Sequence, residues 1–123
     1  MVIRLHKAIA SHLRRDQERA IFYFASLVLL SLVGFLLPAG TAPSFSVPGA
    51  DKVVHFFIFY TLAALGYFAY PKAYRSIVFF LACYAILIEL VQMSIPGRTF
   101  DWWDIFADLS AIFMWILVKK RVG

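Results

Sequence analysis

The chain has 123 residues, of which 63% are hydrophobic and only 15% charged, with a formal net charge of +5. With a mean hydropathy of +0.80, this composition excludes an ordinary soluble globular domain and indicates an integral membrane protein. Because a helical span needs roughly 20 apolar residues, four spans would nearly use up the length. The basic residues flank apolar segments, a placement that fits membrane topology better than a nucleic-acid surface.

The N-terminal segment, residues 1–19, is predicted to lie in the cytoplasm and to contain an amphipathic helix over residues 3–15. Leu5, Ile9 and Leu13 recur every four residues and therefore share one stripe of a helix. Such a helix would lie on the membrane surface against anionic headgroups. The apolar run that follows, 20–37, is longer than the core of a signal peptide, which has about 7–15 residues, so we expect a retained first span.

Three further spans are predicted at about 51–70, 76–94 and 101–118, completing a four-helix transmembrane domain over residues 20–118. The loop 38–50 is rich in proline and glycine and cannot continue a helix. A short basic turn joins the second and third spans, and the Pro96-Gly97 pair separates the third from the fourth. Residues 119–123 form a basic cytoplasmic tail. The predicted fold class is all-α: a polytopic four-helix bundle with an N-terminal amphipathic interfacial helix.

Most of the twelve lysines and arginines fall on one side of this layout. They are Arg4, Lys7, Arg14, Arg15, Arg19, Lys72, Arg75, Lys119, Lys120 and Arg121. By the positive-inside rule that side is the cytoplasm. Both termini are therefore predicted inside, and the 38–50 loop and the 95–100 turn face outward.

Polar and ionisable residues gather at the outward ends of spans two, three and four. This candidate ligand-binding set is Asp51, Lys52, His55, Glu89, Gln92, Arg98, Asp101, Asp104 and Asp108. Within each span its members recur at intervals of three or four residues, so they share one helix face. Glu89, His55 and Asp108 would lie in the outer hydrocarbon region, where ionisable groups are costly and usually functional.

A purely structural interpretation stays open for part of this set. Lys52 and Asp51 could form a surface ion pair, which contributes about 0–1 kcal/mol, and a helix cap would explain Asp51 fully. Trp102 and Trp103 are typical of the aromatic belt at a membrane interface. This interpretation is weakest for the three deeper residues, which come from three different helices.

The motifs DKVVH at 51–55, ELVQ at 89–92 and PGRTFDWWD at 96–104 resemble those of the VanZ-like family of small bacterial membrane proteins. The family pattern is D-K-x-x-H, then E-x-x-Q, then P-G-R-x-x-D-x-x-D-x-x-x-N. Two positions depart from it: Asp108 replaces the Asn, and Phe59 stands where the family often has Tyr, with Tyr60 one position away. The resemblance implies an outward-facing site in the bacterial cytoplasmic membrane and an influence on susceptibility to teicoplanin-type glycopeptides.

Two classes of function follow. In the first, the site binds the headgroup of a lipid or cell-wall precursor, with Arg98, Lys52 and His55 facing an anionic group while the carboxylates orient them. The expected partners are membrane lipids, a lipid-linked precursor or a lipoglycopeptide, with no nucleic acid and no cofactor; the oligomeric state is left open.

In the second, the protein is a small membrane enzyme acting on a lipid-linked phosphate or sugar. His55 and Glu89 are the candidate catalytic acid and base, because His titrates near neutral pH and Glu can be tuned to match. Binding without catalysis is the preferred interpretation. An oxygen-rich metal site made of His55, Glu89, Asp104 and Asp108 is a further variant.

Overall fold

A computed structural model describes residues 1–37, 49–97 and 99–122, which fold as a bundle of helices. The helices are α1 (Val2–Phe35), α2 (Ala50–Ala69), α3 (Tyr74–Gln92) and α4 (Trp102–Val122), with a 3-10 turn at Pro71–Ala73. Three are long and apolar enough to cross a membrane: α1, α2, and α3 together with the turn before it. α4 has matching length but carries acidic residues near its start and basic residues at its end. Its role as a fourth span therefore stays a proposal.

α1 is one unbroken helix, where the sequence suggested an amphipathic helix over 3–15, within a cytoplasmic segment 1–19, and a span over 20–37. Its first half extends beyond the bundle, since every residue from 1 to 19 is exposed apart from the half-buried Ser11. Gln17 Nε2 donates to the carbonyl oxygen of Ala69 at 3.0 Å, so Gln17 lies level with the end of α2. Beyond that point α1 packs into the bundle along the stripe Ala20, Phe24, Ser31 and Phe35.

The other helix ends lie within two residues of their predicted places, except that α4 continues to Val122 through the expected basic tail. α2 ends at Ala69 because Tyr70 precedes a proline and leaves the helical conformation, at φ −135°. Asp101 caps α4, its Oδ1 accepting from the Trp103 amide at 2.9 Å. Asp51 does not cap α2, because the N-cap is Gly49 in the left-handed region, at φ 82°.

α2 is the central helix and packs against the other three. Its Phe59 and Leu62 are completely buried. At Gly66 an added Cβ would lie 2.5 Å from Ile77 Cγ2 of α3 and 3.1 Å from Phe24 Cε2 of α1. Glycine is therefore what lets three helices approach one another at this point.

The two ends of the bundle carry opposite charge. At one end, Lys119 of α4 lies over the rings of Tyr67 and Tyr74, 4.7 Å and 4.6 Å from their centroids. At the other end, where α2 and α4 begin and α3 ends, the acidic residues meet. Most of the predicted outward loop 38–50 lies outside the described residues.

Candidate functional site

Lys52 is the centre of the acidic end. Its Nζ donates to Asp101 Oδ2 at 2.7 Å, to Asp51 Oδ2 at 2.9 Å and to Asp104 Oδ1 at 3.1 Å, so all three donors of the ammonium are engaged. The side-chain exposure of these carboxylates falls from 54% for Asp51 to 32% for Asp101 and 11% for Asp104. Lys52 thus joins the start of α2 to the start of α4, and its three partners range from exposed to nearly buried.

The backbone at this end also favours negative charge. Both α2 and α4 begin here, and the positive ends of their dipoles stabilise nearby anions. Asp51 and Asp104 lie in the first turns of these helices. Asp101 precedes α4, and its hydrogen bond from Lys52 holds the pKa of that carboxyl below its usual value.

His55 lies one turn deeper in α2. Its Nδ1 is 3.0 Å from Asp108 Oδ1, and its Nε2 is 3.8 Å from Asp104 Oδ2. An ionised carboxylate can only accept, so with Asp108 ionised the Nδ1–H is the donor. The contact fixes the ring and leaves Nε2 on the side of Asp104. The Phe35 ring stacks on the imidazole with 4.4 Å between centroids and closes the side toward α1.

Glu89 joins the end of α3 to the start of α4. The residue is fully buried, and its Oε2 accepts from the backbone amide of Asp101 at 3.1 Å. Within the described ranges, its Oε1 has no hydrogen-bond partner, and neither has Oδ2 of Asp108. Unpaired polar atoms in a protein interior are rare and destabilising, so these two oxygens mark where the cluster would accommodate a bound group or a shared proton.

Two groups of ligand atoms in this cluster are close enough for one cation. His55, Glu89 and Asp104 each contribute an atom, all within 4.8 Å of one another, and all three residues are buried. Asp51, Asp101 and Asp104 form a second group of this kind. The Lys52 ammonium contacts every member of the second group, so the chain itself already supplies a cation to that group.

The structure brings together most of the residues predicted from the sequence: Asp51, Lys52, His55, Glu89, Asp101, Asp104 and Asp108. Gln92 instead donates from Nε2 to the carbonyl oxygen of Phe35 at 2.6 Å, so it links α3 to α1 beside the cluster. Arg98, predicted to face an anionic headgroup, lies outside the described residues.

Sequence reasoning missed the contribution of α1 to the site. Nothing in the apolar run around Phe35 indicates that its ring covers His55. Ser31 is buried in the same helix, 2.7 Å from the hydroxyl of Tyr84. A serine in a mostly apolar span indicates which face of α1 turns to the bundle, but it gives no sign of the contact with His55. Tyr60, adjacent to the position where a tyrosine was expected, packs edge-on against Trp115 instead, with centroids 5.8 Å apart.

Comparisons with known proteins agree with the motif resemblance. The sequence model of the VanZ/LLP1 family matches residues 3–122. An uncharacterised protein of Schizosaccharomyces pombe is 36% identical over 126 aligned positions, which cover 95% of this chain and 70% of that protein. No solved structure matches this chain.

Proposed function

The chain belongs to the VanZ/LLP1 family, and from its buried polar cluster we propose that it binds the headgroup of a membrane amphiphile between α2, α3 and α4. The observation that carries this proposal is the pair of buried carboxylate oxygens, Glu89 Oε1 and Asp108 Oδ2, that have no partner in the described ranges. A small apolar bundle does not need such groups for stability. They are explained if a ligand donates to them.

The arrangement favours a headgroup that carries hydrogen-bond donors, such as sugar hydroxyls or an ammonium group. The sequence suggested that Lys52 and His55 would meet an anionic group, but Lys52 already contacts three carboxylates and His55 contacts Asp108. Lipid-linked sugars and ethanolamine lipids present such donors. The lipid-linked sugars include precursors of the cell envelope. These lipids are the partners that we propose.

We place the site on the outer face of the membrane. The basic turn between α2 and α3 and the basic end of α4 meet at the opposite end of the bundle, where the Lys119 contacts lie. By the positive-inside rule that end faces the cytoplasm, with both termini. The bacterial cytoplasmic membrane stays our prediction for the location, although a relative occurs in a yeast.

Native mass spectrometry of the full chain from lipid nanodiscs tests the proposal. The probes are a lipid-linked cell-wall precursor, phosphatidylethanolamine and phosphatidylglycerol, each at the same fraction in phosphatidylcholine. We expect the donor-bearing lipids to be retained over phosphatidylcholine and the preference to disappear in Glu89→Gln. Lys72→Gln, at the opposite end, is the matched control; equal retention of all four lipids would refute headgroup recognition.

If the bound lipid is a cell-wall precursor, expression should change susceptibility to teicoplanin. Expression in a teicoplanin-sensitive bacterium, with Glu89→Gln as the inactive comparison, measures this as an inhibitory concentration. We expect the wild-type chain to raise that concentration and the variant to leave it at the level of the empty vector. Equal susceptibility of all three strains would exclude this narrower proposal and leave headgroup binding to the nanodisc test.

One observation favours an enzyme as the second candidate. Asp108 contacts His55 at Nδ1, and a carboxylate that orients a histidine in this way is one part of how a general base is positioned. Turnover of a lipid-linked phosphate or sugar, abolished by His55→Ala and by Glu89→Gln in folded protein, would establish it. Retention of lipids without turnover would instead support binding alone.

A further inference from the structure

We propose that His55, Glu89 and Asp104 bind a divalent transition-metal ion, with Asp108 holding the histidine in place. The inference goes beyond headgroup binding and does not rest on it. It starts from three buried ligand groups that come from three helices and approach within 4.8 Å of one another. The sequence offered Asp108 as a fourth ligand, whereas the geometry gives it another task.

The histidine has the surroundings of a metal ligand. Metal-binding histidines usually donate their second ring N–H to a carboxylate, which fixes the tautomer and strengthens the ligand. Here Asp108 Oδ1 is 3.0 Å from Nδ1, and Nε2 is left facing Asp104. Asp108 is therefore a positioning residue, because it acts on the ion only through the imidazole.

The fully buried Glu89 supplies the second, independent observation. Its Oε2 is held by the amide of Asp101, while Oε1 has no partner within the described parts of the chain. An ion would meet this unsatisfied oxygen and offset the charge of two ligand carboxylates. Lys52 leaves room for this, since it contacts Asp104 through Oδ1 and leaves Oδ2 on the side of His55.

One ligand–ligand distance is near the value that an ion requires, and the others are within 4.8 Å. Bonds of about 2.0–2.2 Å place the ligand atoms of a tetrahedral ion about 3.4 Å apart. His55 Nε2 and Asp104 Oδ2 are already at 3.8 Å, so small side-chain rotations bring them onto one ion. Three ligands from the chain leave coordination positions open, as in zinc sites that hold water or substrate.

The ligand set selects the class of ion. An imidazole with two carboxylates suits Zn²⁺ or Mn²⁺, whereas Ca²⁺ takes six to eight oxygen ligands and Mg²⁺ keeps several waters. An open position on the ion would also accept an oxygen of a headgroup.

Equilibrium dialysis of the full-length protein in detergent tests the inference, with no lipid ligand present. The protein is stripped with a chelator and dialysed against Zn²⁺, Mn²⁺ or Ca²⁺, and bound metal is measured by mass spectrometry. We expect one Zn²⁺ or Mn²⁺ per chain, undisturbed by excess Ca²⁺. Binding of neither transition ion, or equal binding of Ca²⁺, would overturn the proposal.

Variants separate the site from the neighbouring carboxylates. Glu89→Gln keeps an acceptor for the Asp101 amide but removes the ligand charge, so the affinity should fall by more than about tenfold. Asp108→Leu should weaken binding by about 10- to 100-fold, as loss of an orienting partner does, while Asp108→Asn keeps the acceptor and should bind within a few-fold of wild type. Asp51→Asn, at the exposed edge, should bind normally. Equal affinities for Glu89→Gln and Asp51→Asn would contradict the assignment.

A measurement on the wild type covers the case in which a variant does not fold. Pulsed electron paramagnetic resonance of the Mn²⁺-loaded protein detects an imidazole nitrogen bound directly to the ion. We expect this nitrogen modulation. A spectrum with oxygen ligands alone would exclude His55 and with it the proposed site.

Discussion

Replacing Lys52 with methionine should destabilise the bundle, because this side chain joins α2 to α4 through three carboxylates. Methionine keeps the length of the aliphatic chain and removes the ammonium. An exposed ion pair contributes about 0–1 kcal/mol, while a hydrogen bond to a charged group contributes about 1.5–3 kcal/mol. Asp51, at 54% exposure, falls in the first class and Asp104, at 11%, in the second. Asp101 is intermediate in exposure, at 32%. We therefore expect the free energy of unfolding to fall by about 3 kcal/mol.

Unfolding of the purified protein in mixed micelles, at rising fractions of dodecyl sulfate, measures this loss through tryptophan fluorescence. Trp102 and Trp103 adjoin the Asp101 cap and so report on this end of the bundle. Lys72→Met is the matched control, since Lys72 is exposed in the turn between α2 and α3 and its loss should change stability by less than about 0.5 kcal/mol. A change below about 1 kcal/mol for Lys52→Met, or one equal to the control, would refute the role of Lys52.

The same comparison has a defined dependence on pH. The folded pKa of Asp101 lies below its usual value because of the hydrogen bond from Lys52. The contribution of the Asp101 carboxylate to the free energy of unfolding is therefore fully present above the unfolded pKa of about 3.9. It is lost as the pH falls through the lower pKa of the folded state. The difference between wild type and Lys52→Met should narrow below about pH 4, and a difference unchanged at lower pH would contradict this linkage.

Two further substitutions test the packing that supports the site, in the same detergent titration. Gly66→Ala should destabilise the protein by about 1–3 kcal/mol through overpacking. At Gly34, nothing among the described residues lies within 4 Å of an added Cβ, so Gly34→Ala should stabilise the protein by up to about 1 kcal/mol. Equal effects of the two substitutions would contradict the close approach at Gly66. Gln92→Leu removes the donor to the Phe35 carbonyl and should destabilise by about 1–3 kcal/mol, so an unchanged stability would show that this link is dispensable.

The sequence predicted the helices well where the chain contains strong breakers. Pro71 and the Pro96-Gly97 pair delimit α3, and long apolar runs leave no alternative to helix between them. The polar spacing also predicted the shared face, because residues three or four apart lie on one side of a helix. The resemblance to the VanZ-like family is confirmed by the match over residues 3–122.

The continuity of α1 was predictable but was missed. No glycine or proline occurs before Gly34, so nothing in the chain breaks the helix between the amphipathic segment and the apolar one. The change in composition near Arg19 suggested a boundary. Composition reports the environment of a helix, however, and does not interrupt its backbone hydrogen bonds.

The pairings within the site could not be predicted from spacing. Lys52 contacts Asp101 and Asp104, which are 49 and 52 residues away, and this choice depends on how α2 and α4 are rotated against each other. Helical periodicity places Glu89 on a face but does not reveal that one of its oxygens accepts from the Asp101 amide. The role of Phe35 depends on ring orientation, for which an apolar run gives no sign.

The depth of His55 couples the proposed ion to the membrane potential. In the proposed orientation, the exposed Trp102 and Trp103 mark the outer interface. Lys52 contacts Asp101, the residue before Trp102, and so lies at the same depth as the two tryptophans. His55 is three residues further along α2, which places it about 4.5 Å deeper. This depth is roughly one sixth of a 30 Å hydrocarbon core. A doubly charged ion at that depth gains about 0.7 kcal/mol from a potential of about 100 mV, negative inside. Its affinity would then be roughly threefold higher in an energised membrane than in a depolarised one.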